Sequence, residues 1–518
     1  MSTAAWRIFV DVGGTFTDAI GVDPGGRTHR VKILSSGALR GTIARRAAPD
    51  RYAVREDWGA HPDLLRGFGF RMLDGTGPAC RVERYDPEAG VLVLSAAPSP
   101  PLPPGAAFEL QSPDETPVLA AHLLTRTGRD HTLPAIALRL ATTLGTNALL
   151  QRAGVPTALF TTRGFGDLLR IGTQQRPDLF ALDIELPEPL PAVVVEVDER
   201  LAADGTVLRP LDVGALQAEA VDLAARGIRV AAVALMHAYL NPVHEVQIRD
   251  LLRRQGFTHV SCSADLAGSI KLLPRTQTAV VDAYLGPVVQ DYLDRVRSRL
   301  RGGSIHIMTS AGGLVSPEAF HPKDSLLSGP AGGVVGAARV AARSGFERVL
   351  AFDMGGPSTD VARYDGDYEY LFEHQVGDAR LVAPALAIES VAAGGGSICW
   401  FDGDRLRVGP QSAGAAPGPA CYGAGGPLTL TDVNLLLGRL DPARFDVPLL
   451  PAAAERAVSD LQAAISSRSG RRPRRETLLE GFLAIANERM ADAIRSISAR
   501  RGYDPSEYAL VAFGGAGA

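Results

Sequence analysis

Short apolar runs alternate with amphipathic segments along most of this chain. A strand is predicted over residues 6–12, and two further apolar stretches follow it around a tight turn. From about residue 117, predicted strands and helices follow one another in turn, which is typical of parallel strands joined by helical crossovers. The second half repeats this scheme and closes with an amphipathic helix at 477–502 and a strand at 508–515. The pattern therefore predicts an α/β protein.

Residues 37–116 interrupt this pattern. Apolar and polar positions alternate there with a period of two between prolines and glycines, and helical periodicity is absent. We therefore expect a small β-rich insert. The predicted parts are residues 1–36 as the start of a first lobe, 37–116 as the insert, 117–300 as the remainder of the first lobe, and 301–518 as a second lobe.

Three other stretches are predicted to be irregular. Glycine and proline dominate residues 385–401 and 408–432, which we expect to be long loops with little regular structure. Within the first of them, "AAGGGS" at 392–397 is expected to lie close to the substrate or to the cleft between the lobes. The charged stretch 466–476 is predicted to be a surface linker.

Composition and charge narrow the functional classes. The chain has 518 residues, so about two to four domains are expected, and 53 Lys+Arg against 57 Asp+Glu give a formal net charge of −4. Without a basic block longer than "RRPRR" at 471–475, nucleic-acid binding has no support. No apolar stretch approaches the ~20 residues of a membrane helix, and no export signal opens the sequence, so we expect a cytoplasmic protein with no membrane partner. The four cysteines form no CxxC pair, which favours reduced, buried thiols over disulfides or a zinc site.

Two octets carry the most specific chemistry. "DVGGTFTD" at 11–18 and "DMGGPSTD" at 353–360 share Asp, Gly, Gly, Thr and Asp at the same offsets, and each follows an apolar strand. Glycine lets backbone N–H groups approach a phosphate chain, and an aspartate at the end of a buried strand is well placed to hold Mg²⁺ directly or through water. A single such turn is usually only a hairpin with a capping Asp, whereas two related copies predict a clamp for the β- and γ-phosphates of one nucleotide. Neither octet is a Walker A loop or a GxGxxG fingerprint.

Two further features modify this prediction. Pro357 stands where the first turn has Thr15, and because proline has no N–H, at least one phosphate contact is missing from the second turn. "FGGAG" at 513–517 is a third glycine turn that follows a strand, and we expect it to pack against adenine and ribose.

Weaker candidates for a substrate site lie elsewhere. Thr143, Thr146 and Asn147 fall at a strand-to-helix junction, where threonines usually cap the helix but where α/β sheets also bind ligands. Arg170 is a candidate to hold a substrate carboxylate or imide, and a solvated surface helix is the equally weighted alternative. Its polar neighbours in the sequence are Gln174, Gln175 and Arg176.

The isolated histidines and cysteines are expected to be structural. His237 and His244 are more simply explained as a packed core histidine and a capping histidine than as metal ligands. Cys421, in a glycine- and proline-rich stretch, is expected to be buried and inert rather than catalytic.

The order of these motifs resembles the hydantoinase A/5-oxoprolinase family of the actin-like ATPase superfamily. The stretches that match include "DVGGTFTD", "ATTLGTNALLQRAG", "PRTQTAVVDAYLGPVV", "SGPAGGVVGA", "FDMGGPSTDV", "VGPQSAGAAPGPACYGAGGPLTLTD" and "RGYDPSEYALVAFGGAGA". The resemblance implies a two-lobed actin-like fold with a small β-rich insert, ATP and Mg²⁺ as cofactors, a small cyclic amide as substrate, and a hydantoinase B-type partner subunit or domain. It also implies phosphorylation of a lactam or imide carbonyl oxygen before ring opening, which makes an unreactive amide carbon accept water.

The resemblance also implies a role for particular residues. Asp11, Asp353 and Thr15 are the implied catalytic residues, and Asp11 and Asp353 are the implied metal ligands. The implied nucleotide-binding residues are Gly13, Gly14, Thr15 and Thr17 in the first turn, Gly355, Gly356, Ser358, Thr359 and Asp360 in the second, and Gly514 and Gly515 in the third.

This sequence departs from the family pattern in three places. The family usually has threonine at the position of Pro357, residues 37–113 replace a shorter family segment, and family members continue well beyond the "FGGAG" turn, so a second lobe truncated at its C-terminus is expected. Two alternatives stay open. One is the ATP-using subunit of an acetone- or acetophenone-type carboxylase, and the other is a non-catalytic relative that binds nucleotide and a partner.

Overall fold

The computed structural model describes residues 5–59, 61–75, 80–175, 180, 182–183, 186–445 and 448–517. Its strands are β1 (Trp6–Val12), β2 (Phe16–Val22), β3 (Thr28–Leu34), β4 (Ala38–Ala48), β5 (Arg51–Val54), β6 (Gly69–Met72), β7 (Cys80–Asp86), β8 (Val91–Leu94), β9 (Ala107–Gln111), β10 (Ile136–Thr142), β11 (Ala158–Thr162), β12 (Val193–Val197), β13 (Arg200–Leu201), β14 (Val207–Arg209), β15 (Val230–Ala234), β16 (His259–Cys262), β17 (Ser304–Met308), β18 (Leu314–Val315), β19 (Arg348–Met354), β20 (Thr359–Asp365), β21 (Tyr370–Val376), β22 (Ala379–Leu386), β23 (Ile388–Val391), β24 (Ser397–Phe401), β25 (Leu406–Ser412) and β26 (Ala509–Phe513). Its α-helices are α1 (Thr116–Thr125), α2 (Leu144–Leu150), α3 (Leu168–Ile171), α4 (Val213–Ala225), α5 (Val243–Arg254), α6 (Ser263–Leu266), α7 (Leu272–Arg299), α8 (Ser328–Arg343), α9 (Leu430–Leu436), α10 (Pro451–Ser469) and α11 (Arg475–Ile497). Within these residues, no helix combines the length and the apolar character that crossing a lipid bilayer requires.

The first lobe is built on a six-stranded sheet with the order β18-β17-β10-β1-β2-β3. β1 is the strand predicted at residues 6–12, and it pairs antiparallel with β2 and parallel with β10. Ile8 and Val10 alternate into the core, as expected for a strand with a two-residue period. Asp11 therefore lies near the carboxyl end of β1, beside the first glycine turn.

The second lobe repeats this arrangement on a four-stranded sheet with the order β23-β20-β19-β26. β19 pairs antiparallel with β20 and parallel with β26, just as β1 pairs with β2 and β10. Helix α8 packs on β19 and β20 of this sheet and also on β10 and β17 of the first. The two sheets are therefore joined through one helix, whose N-terminal end lies between the two glycine turns.

A closed barrel is inserted into the first lobe between β3 and α1. Its strands have the order β4-β5-β8-β7-β6-β9, and its interior contains the stacked rings of Phe70 and Phe108, whose centroids are 5.1 Å apart. The buried side chains of the barrel belong to the same apolar cluster as those of β1, β10 and α1. The barrel is thus packed onto the lobe through a continuous core.

A separate parallel sheet follows the first-lobe strand β10. Its order is β12-β11-β15-β16, all pairs are parallel, and α4 and α5 provide crossovers, in agreement with the alternation of strands and helices in the sequence. The long helix α7 packs against β15 and β16 on one side and against β22 on the other. Sequence periodicity does not single out α7, because most of its length is buried on several sides and lacks a polar face.

The irregular segments expected at 385–401, 408–432 and 466–476 are shorter than predicted. The stretch 385–401 contains β23 and β24, and the stretch 408–432 ends in the start of α9, because strands of four or five residues fit between the glycines. Within the predicted linker at 466–476, α10 continues to Ser469 and α11 begins at Arg475, so residues 470–474 form the connection between the two helices. Gly470, with a φ of 71°, terminates α10 in the left-handed conformation that favours glycine.

Candidate functional site

The two related octets form two hairpins with the same register. In the first, Asp11 lies opposite Asp18, and the N–H of Gly13 donates to the carbonyl of Phe16 at 3.0 Å. In the second, Asp353 lies opposite Asp360, and the equivalent hydrogen bond joins residues 355 and 358 at 2.9 Å. Neither bond uses the residue at the position of Pro357, so proline leaves the turn geometry intact.

The two turns meet directly at the bottom of a cleft between the sheets. A Cβ atom on Gly356 would lie 2.1 Å from Oγ1 of Thr15, and a Cβ on Gly14 would lie 3.4 Å from the ring of Pro357. Only glycine allows the first of these approaches, because any side chain at position 356 would displace Thr15. The "AAGGGS" segment packs behind the second turn, where the N–H of Gly395 donates to the carbonyl of residue 355 at 2.9 Å.

The third glycine turn closes the same cleft from the side of β26. Gly514 has a φ of 91°, and a Cβ there would lie 2.2 Å from Oδ1 of Asp353. The N–H of Ala516 donates to the carbonyl of Met354 at 2.9 Å, which holds the turn against the end of β19. Position 514 therefore requires glycine both for its backbone conformation and for its contact with the carboxylate.

The cleft has a volume of about 180 Å³ and is lined by residues from both sheets. From the residues predicted by sequence it brings together Asp11, Gly13, Gly14, Thr15, Asp353, Gly355, Gly356, Ser358, Asp360, Gly514, Gly515 and Thr143. Thr17 and Thr359 do not line it. They lie on the opposite faces of their strands from Asp18 and Asp360, are fully buried, and use their hydroxyls within the fold: Thr17 with Ser35 at 3.0 Å, and Thr359 with the carbonyl of Ala393 at 2.5 Å.

Sequence reasoning missed two parts of this cleft. Gly329, at the start of α8, lies close enough to Asp11 that an added Cβ would be 3.5 Å from its Oδ1. The N-terminus of a helix carries unpaired N–H groups and a partial positive charge, which makes it suitable for binding an anion. Lys32, on β3, also lines the cleft, and its Nζ lies 2.8 Å from both carboxylate oxygens of Asp18. The signal for α8 was present in "SGPAGG", whereas nothing local to Lys32 indicated its position.

Four carboxylates converge on the cleft, and the pKa values of Asp11, Asp353 and Asp360 are raised there, chiefly by burial. Burial of Asp353, together with the negative charges of Asp360, Asp11 and Asp18, raises its pKa to about 7. Desolvation within the cleft, followed by the charge of Asp18, raises the pKa of Asp11 to about 6, although part of the residue's surface is exposed. Burial raises the pKa of Asp360 to about 6, although Ser390 donates a hydrogen bond to it. The cleft therefore holds excess negative charge, which a bound cation would compensate.

The turns also present unused hydrogen-bond donors. Within the described part of the chain, the backbone N–H groups of Gly14, Thr15 and Gly356 donate to no other residue. The buried hydroxyl of Thr15 also has no hydrogen-bond partner there. Buried polar groups are rarely left unpaired, so these donors fit a bound phosphate chain. Pro357 removes one such donor from the second turn.

The donor chemistry also fits Mg²⁺, which prefers carboxylate oxygens and retains several waters. Among the described residues, the one group of three His, Cys, Asp or Glu side chains whose donor atoms lie within 4.8 Å of one another is His61, Asp63 and His131, at the surface. Among the described residues, no three carboxylates of the cleft are close enough to share one ion, which fits a cation held by one or two carboxylates and water.

The weaker substrate candidates fall in different places. Thr143 lines the cleft and donates to the carbonyl of Val12 at 3.1 Å. Thr146 instead donates to the carbonyl of Leu326 at 2.6 Å and ties α2 to the segment before α8, while Asn147 is exposed on α2. Of these three residues, the fold places Thr143 beside the glycine turns.

Arg170 lies in a second, larger cavity of about 660 Å³. Its side chain is 71% exposed and reaches Glu188 at 3.8 Å, and Gln174 and Gln175 line the same cavity. Arg176, grouped with them in the sequence, lies outside the described residues. Arg170 is therefore separated from the cleft, since the cavities have no lining residue in common.

The histidines and cysteines have structural positions. His244 is buried and its Nδ1 lies 2.6 Å from Glu199, while His237 is held in a turn with a φ of 61°. Cys421 is fully buried, as expected, and burial followed by the charge of Asp432 raises the pKa of its thiol, which disfavours the reactive thiolate.

Comparisons with known proteins agree with this geometry. The model of the hydantoinase/oxoprolinase N-terminal region matches residues 114–256, and that of hydantoinase/oxoprolinase matches residues 275–518. 5-oxoprolinase 1 of Arabidopsis thaliana is 41% identical over 73% of this chain and 33% of its own length. This chain thus spans about one third of the length of the first curated relatives that it matches.

Two solved structures share the fold. The match to a nucleotide-free structure of acetone carboxylase covers 99% of this chain and 65% of the carboxylase chain, with a TM-score of 0.71 and 22% identity. The match to the ATP-dependent caprolactamase from Pseudomonas jessenii covers 98% of this chain and 65% of the caprolactamase chain, with a TM-score of 0.65 and 26% identity. The duplicated sheets and hairpins and these neighbours confirm the two-lobed, actin-like α/β fold. On the motifs, the geometry and the matches together, the chain belongs to the hydantoinase/oxoprolinase family.

Proposed function

We propose that this chain is the ATP-using component of a cyclic-amide hydrolase that phosphorylates a lactam or imide carbonyl oxygen before the ring opens. The observation that carries the proposal is the pair of Asp-Gly-Gly hairpins, which meet in one cleft with unused N–H and hydroxyl donors. The relatives named 5-oxoprolinase and ATP-dependent caprolactamase support a cyclic amide as the substrate.

Each residue of the cleft takes a role that its position supports. The N–H groups of Gly14 and Gly356 and the hydroxyl of Thr15 would bind the phosphate oxygens, and the N-terminus of α8 would add a partial positive charge. Mg²⁺, held by Asp11 and Asp353 largely through water, would neutralise charge on the phosphates. The glycine turn at 514–515 would contact adenosine.

The proposed chemistry needs no protein nucleophile. The carbonyl oxygen of the amide forms a bond to the γ-phosphorus of ATP as the bond to ADP breaks, which leaves an imidate-like phosphate whose carbon is electrophilic. Water then adds to that carbon, and the C–N bond of the tetrahedral adduct breaks as the nitrogen takes up a proton, which opens the ring and leaves an acyl phosphate. A second water adds to the acyl carbon, and inorganic phosphate leaves with the former carbonyl oxygen. The cleft contributes positioning and charge neutralisation.

Partners and location complete the proposal. Because this chain spans about one third of the length of the 5-oxoprolinase relatives that it matches, we propose that a hydantoinase B-type subunit or domain carries out the later hydrolysis. All four cysteines are free thiols, which supports a cytoplasmic location.

The decisive test follows the carbonyl oxygen. The chain and a B-type partner would be incubated with Mg-ATP and with 5-oxoproline or hydantoin labelled with ¹⁸O at the ring carbonyl. Appearance of ¹⁸O in inorganic phosphate, in step with ADP release, is the expected result. Asp11→Ala should abolish both, whereas Asp404→Asn, which changes a carboxylate that is 84% exposed between β24 and β25, should change neither.

Other outcomes would redirect the assignment. Label found in the carboxylate product and absent from phosphate would contradict phosphorylation of the carbonyl oxygen. ADP release that requires a ketone and bicarbonate would favour the carboxylase alternative. ATP binding without turnover of any acceptor would favour the non-catalytic relative.

A further inference from the structure

One end of the cleft is apolar and aromatic, unlike the end formed by the glycine turns. Phe16, Tyr422 and Phe445 line this end together with Leu440. The rings of Phe16 and Tyr422 have centroids 6.4 Å apart in an edge-to-face arrangement, and those of Tyr422 and Phe445 are 6.3 Å apart. We call Phe16, Tyr422 and Phe445 the aromatic wall. Phe16 directly follows Thr15, so the wall begins where the first phosphate turn ends.

The aromatic wall is held rigidly by buried hydrogen bonds. Tyr422 ends a short turn, and the fully buried carboxylate of Asp432 accepts hydrogen bonds from the N–H groups of Ala420 at 3.2 Å and Cys421 at 2.7 Å. The same carboxylate accepts from the N–H of Thr429 at 2.8 Å, which caps α9. Tyr422 itself is 3% exposed. Tyr422 is therefore a buried support, and Phe16 and Phe445 are the rings of the wall with accessible surface.

The barrel reaches the aromatic wall through one arginine. Arg40, on β4, is 7% exposed, and its guanidinium carbon lies 5.6 Å from the centroid of the Tyr422 ring. Its Nε is 3.7 Å from Glu109, and neither Nε nor Nη1 makes a hydrogen bond in the described part of the chain. A buried guanidinium over an aromatic face is a cation–π contact, so Arg40 stabilises the position of Tyr422. This contact gives a role to the barrel, whose strands lie outside both matched family segments.

The charges around the aromatic wall restrict what it can bind. Among the described lining residues of the cleft, the single cationic side chain is Lys32, which is already paired with Asp18. Asp11, Asp353 and Asp360 line the same space. With Mg²⁺ and the N-terminus of α8 assigned to the phosphates, an acceptor that carries its own carboxylate would find no further unpaired cation among these lining residues.

We propose that the aromatic wall is the acceptor subsite and that it takes the planar face of an uncharged lactam or imide, with Arg40 as a positioning residue behind Tyr422. The inference rests on the proposed function for its phosphoryl donor. Stacking on the wall places a ring beside the turn that contains Thr15, where the transferred phosphoryl group would lie. Uncharged rings are preferred over 5-oxoproline because Lys32, whose Nζ lies 4.9 Å from the centroid of the Phe16 ring, is already paired with Asp18.

The test separates acceptor binding from nucleotide binding. The chain, together with its B-type partner where the two co-purify, would be saturated with Mg²⁺ and a non-hydrolysable ATP analogue. Binding of hydantoin, ε-caprolactam and 5-oxoproline would be measured by calorimetry, and the affinity for the analogue would be measured separately. A nucleotide that does not bind would refute the proposed function, whereas the aromatic wall is judged by the lactam titrations, which need no turnover.

The variants distinguish a specific loss of lactam binding from a general loss of folding or of nucleotide binding. Phe445→Ala and Tyr422→Leu should weaken binding of hydantoin by about two- to tenfold and leave the affinity for the analogue unchanged within about twofold. Phe372→Ala, which removes a ring that is 68% exposed on β21, should change neither. Arg40→Met should weaken hydantoin binding in the same way, and Arg40→Lys, which keeps the cation, should restore part of it.

Four results would overturn the proposal. Loss of affinity for the analogue in Phe445→Ala with unchanged lactam binding would assign the wall to the base of the nucleotide. Tighter binding of 5-oxoproline than of the uncharged rings, an equal effect of Phe372→Ala, or no lactam binding to the wild-type protein would each contradict an uncharged-acceptor site.

Discussion

Replacement of Asp353 by asparagine should stabilise the fold and remove its response to Mg²⁺. The carboxyl group has a pKa of 3.8 when unfolded and about 7 in the folded protein, because it is buried beside Asp360, Asp11 and Asp18. Below pH 3.8 both states are protonated and there is no cost. Above pH 7 both are ionised and the folded state bears the full cost, so stability falls as pH rises between these values.

The size of the effect follows from the shift. A shift of 3.2 units, from 3.8 to about 7, corresponds to about 4 kcal/mol at pH 8 and to less than about 1 kcal/mol at pH 4. Water and counter-ions in the cleft reduce this, so we expect Asp353→Asn to raise the free energy of unfolding by about 2–4 kcal/mol at pH 8. At pH 4 the two proteins should differ little. Asparagine has nearly the same shape, so the contact with Gly514 is preserved.

Urea unfolding at pH 4 and pH 8, with and without Mg²⁺, is the assay. Mg²⁺ at pH 8 should stabilise the wild-type protein and leave Asp353→Asn unchanged, and Asp404→Asn should behave as wild type because its carboxylate is exposed outside the cleft. A stabilisation of the same size at both pH values, or none at pH 8, would refute the reasoning that burial of the Asp353 carboxylate, together with its charged neighbours, destabilises the folded state.

Three further substitutions test the contacts around the cleft. Gly514→Ala places a Cβ 2.2 Å from Asp353 at a φ of 91°. Gly502→Ala has a similar φ of 85° but no atom within 4 Å of the added Cβ, so it should cost about 1 kcal/mol, and Gly514→Ala should cost several-fold more. Equal losses of stability in thermal melts would contradict the steric argument. Asp432→Ala leaves buried N–H groups unpaired, so it should lower the free energy of unfolding by about 3 kcal/mol and weaken acceptor binding. A loss below about 1 kcal/mol would show that the turn at 420–422 keeps its conformation without the carboxylate. Thr146→Val removes one hydrogen bond, so chemical denaturation should show a loss of about 1 kcal/mol, with nucleotide affinity retained; a large loss of nucleotide affinity would place this residue in the site after all.

The local parts of the site were predictable because a tight turn depends on a few consecutive residues. The shared spacing of Asp, Gly, Gly, Thr and Asp predicts both hairpins, and the structure gives them the same register. The effect of Pro357 on the second hairpin is also local, because the hydrogen bond that closes the turn joins residues 355 and 358 and does not use the proline. The assignment of a family followed from the same motifs in order.

Other features depended on contacts between distant residues, which no local pattern contains. Alternation along a strand turns Thr17 away from the cleft, and the separation of two cavities removes Arg170 from it. Arg40 reaches Tyr422 across 382 positions of sequence, because a barrel strand packs against a turn of the second lobe. The sequence alone therefore determined the hairpins and the family, whereas β17 and β18, expected in the second lobe, pair in the sheet of the first. Only the tertiary structure decided which side chains share the cleft, because burial, charge repulsion and aromatic packing act between elements that are close in space and far apart along the chain.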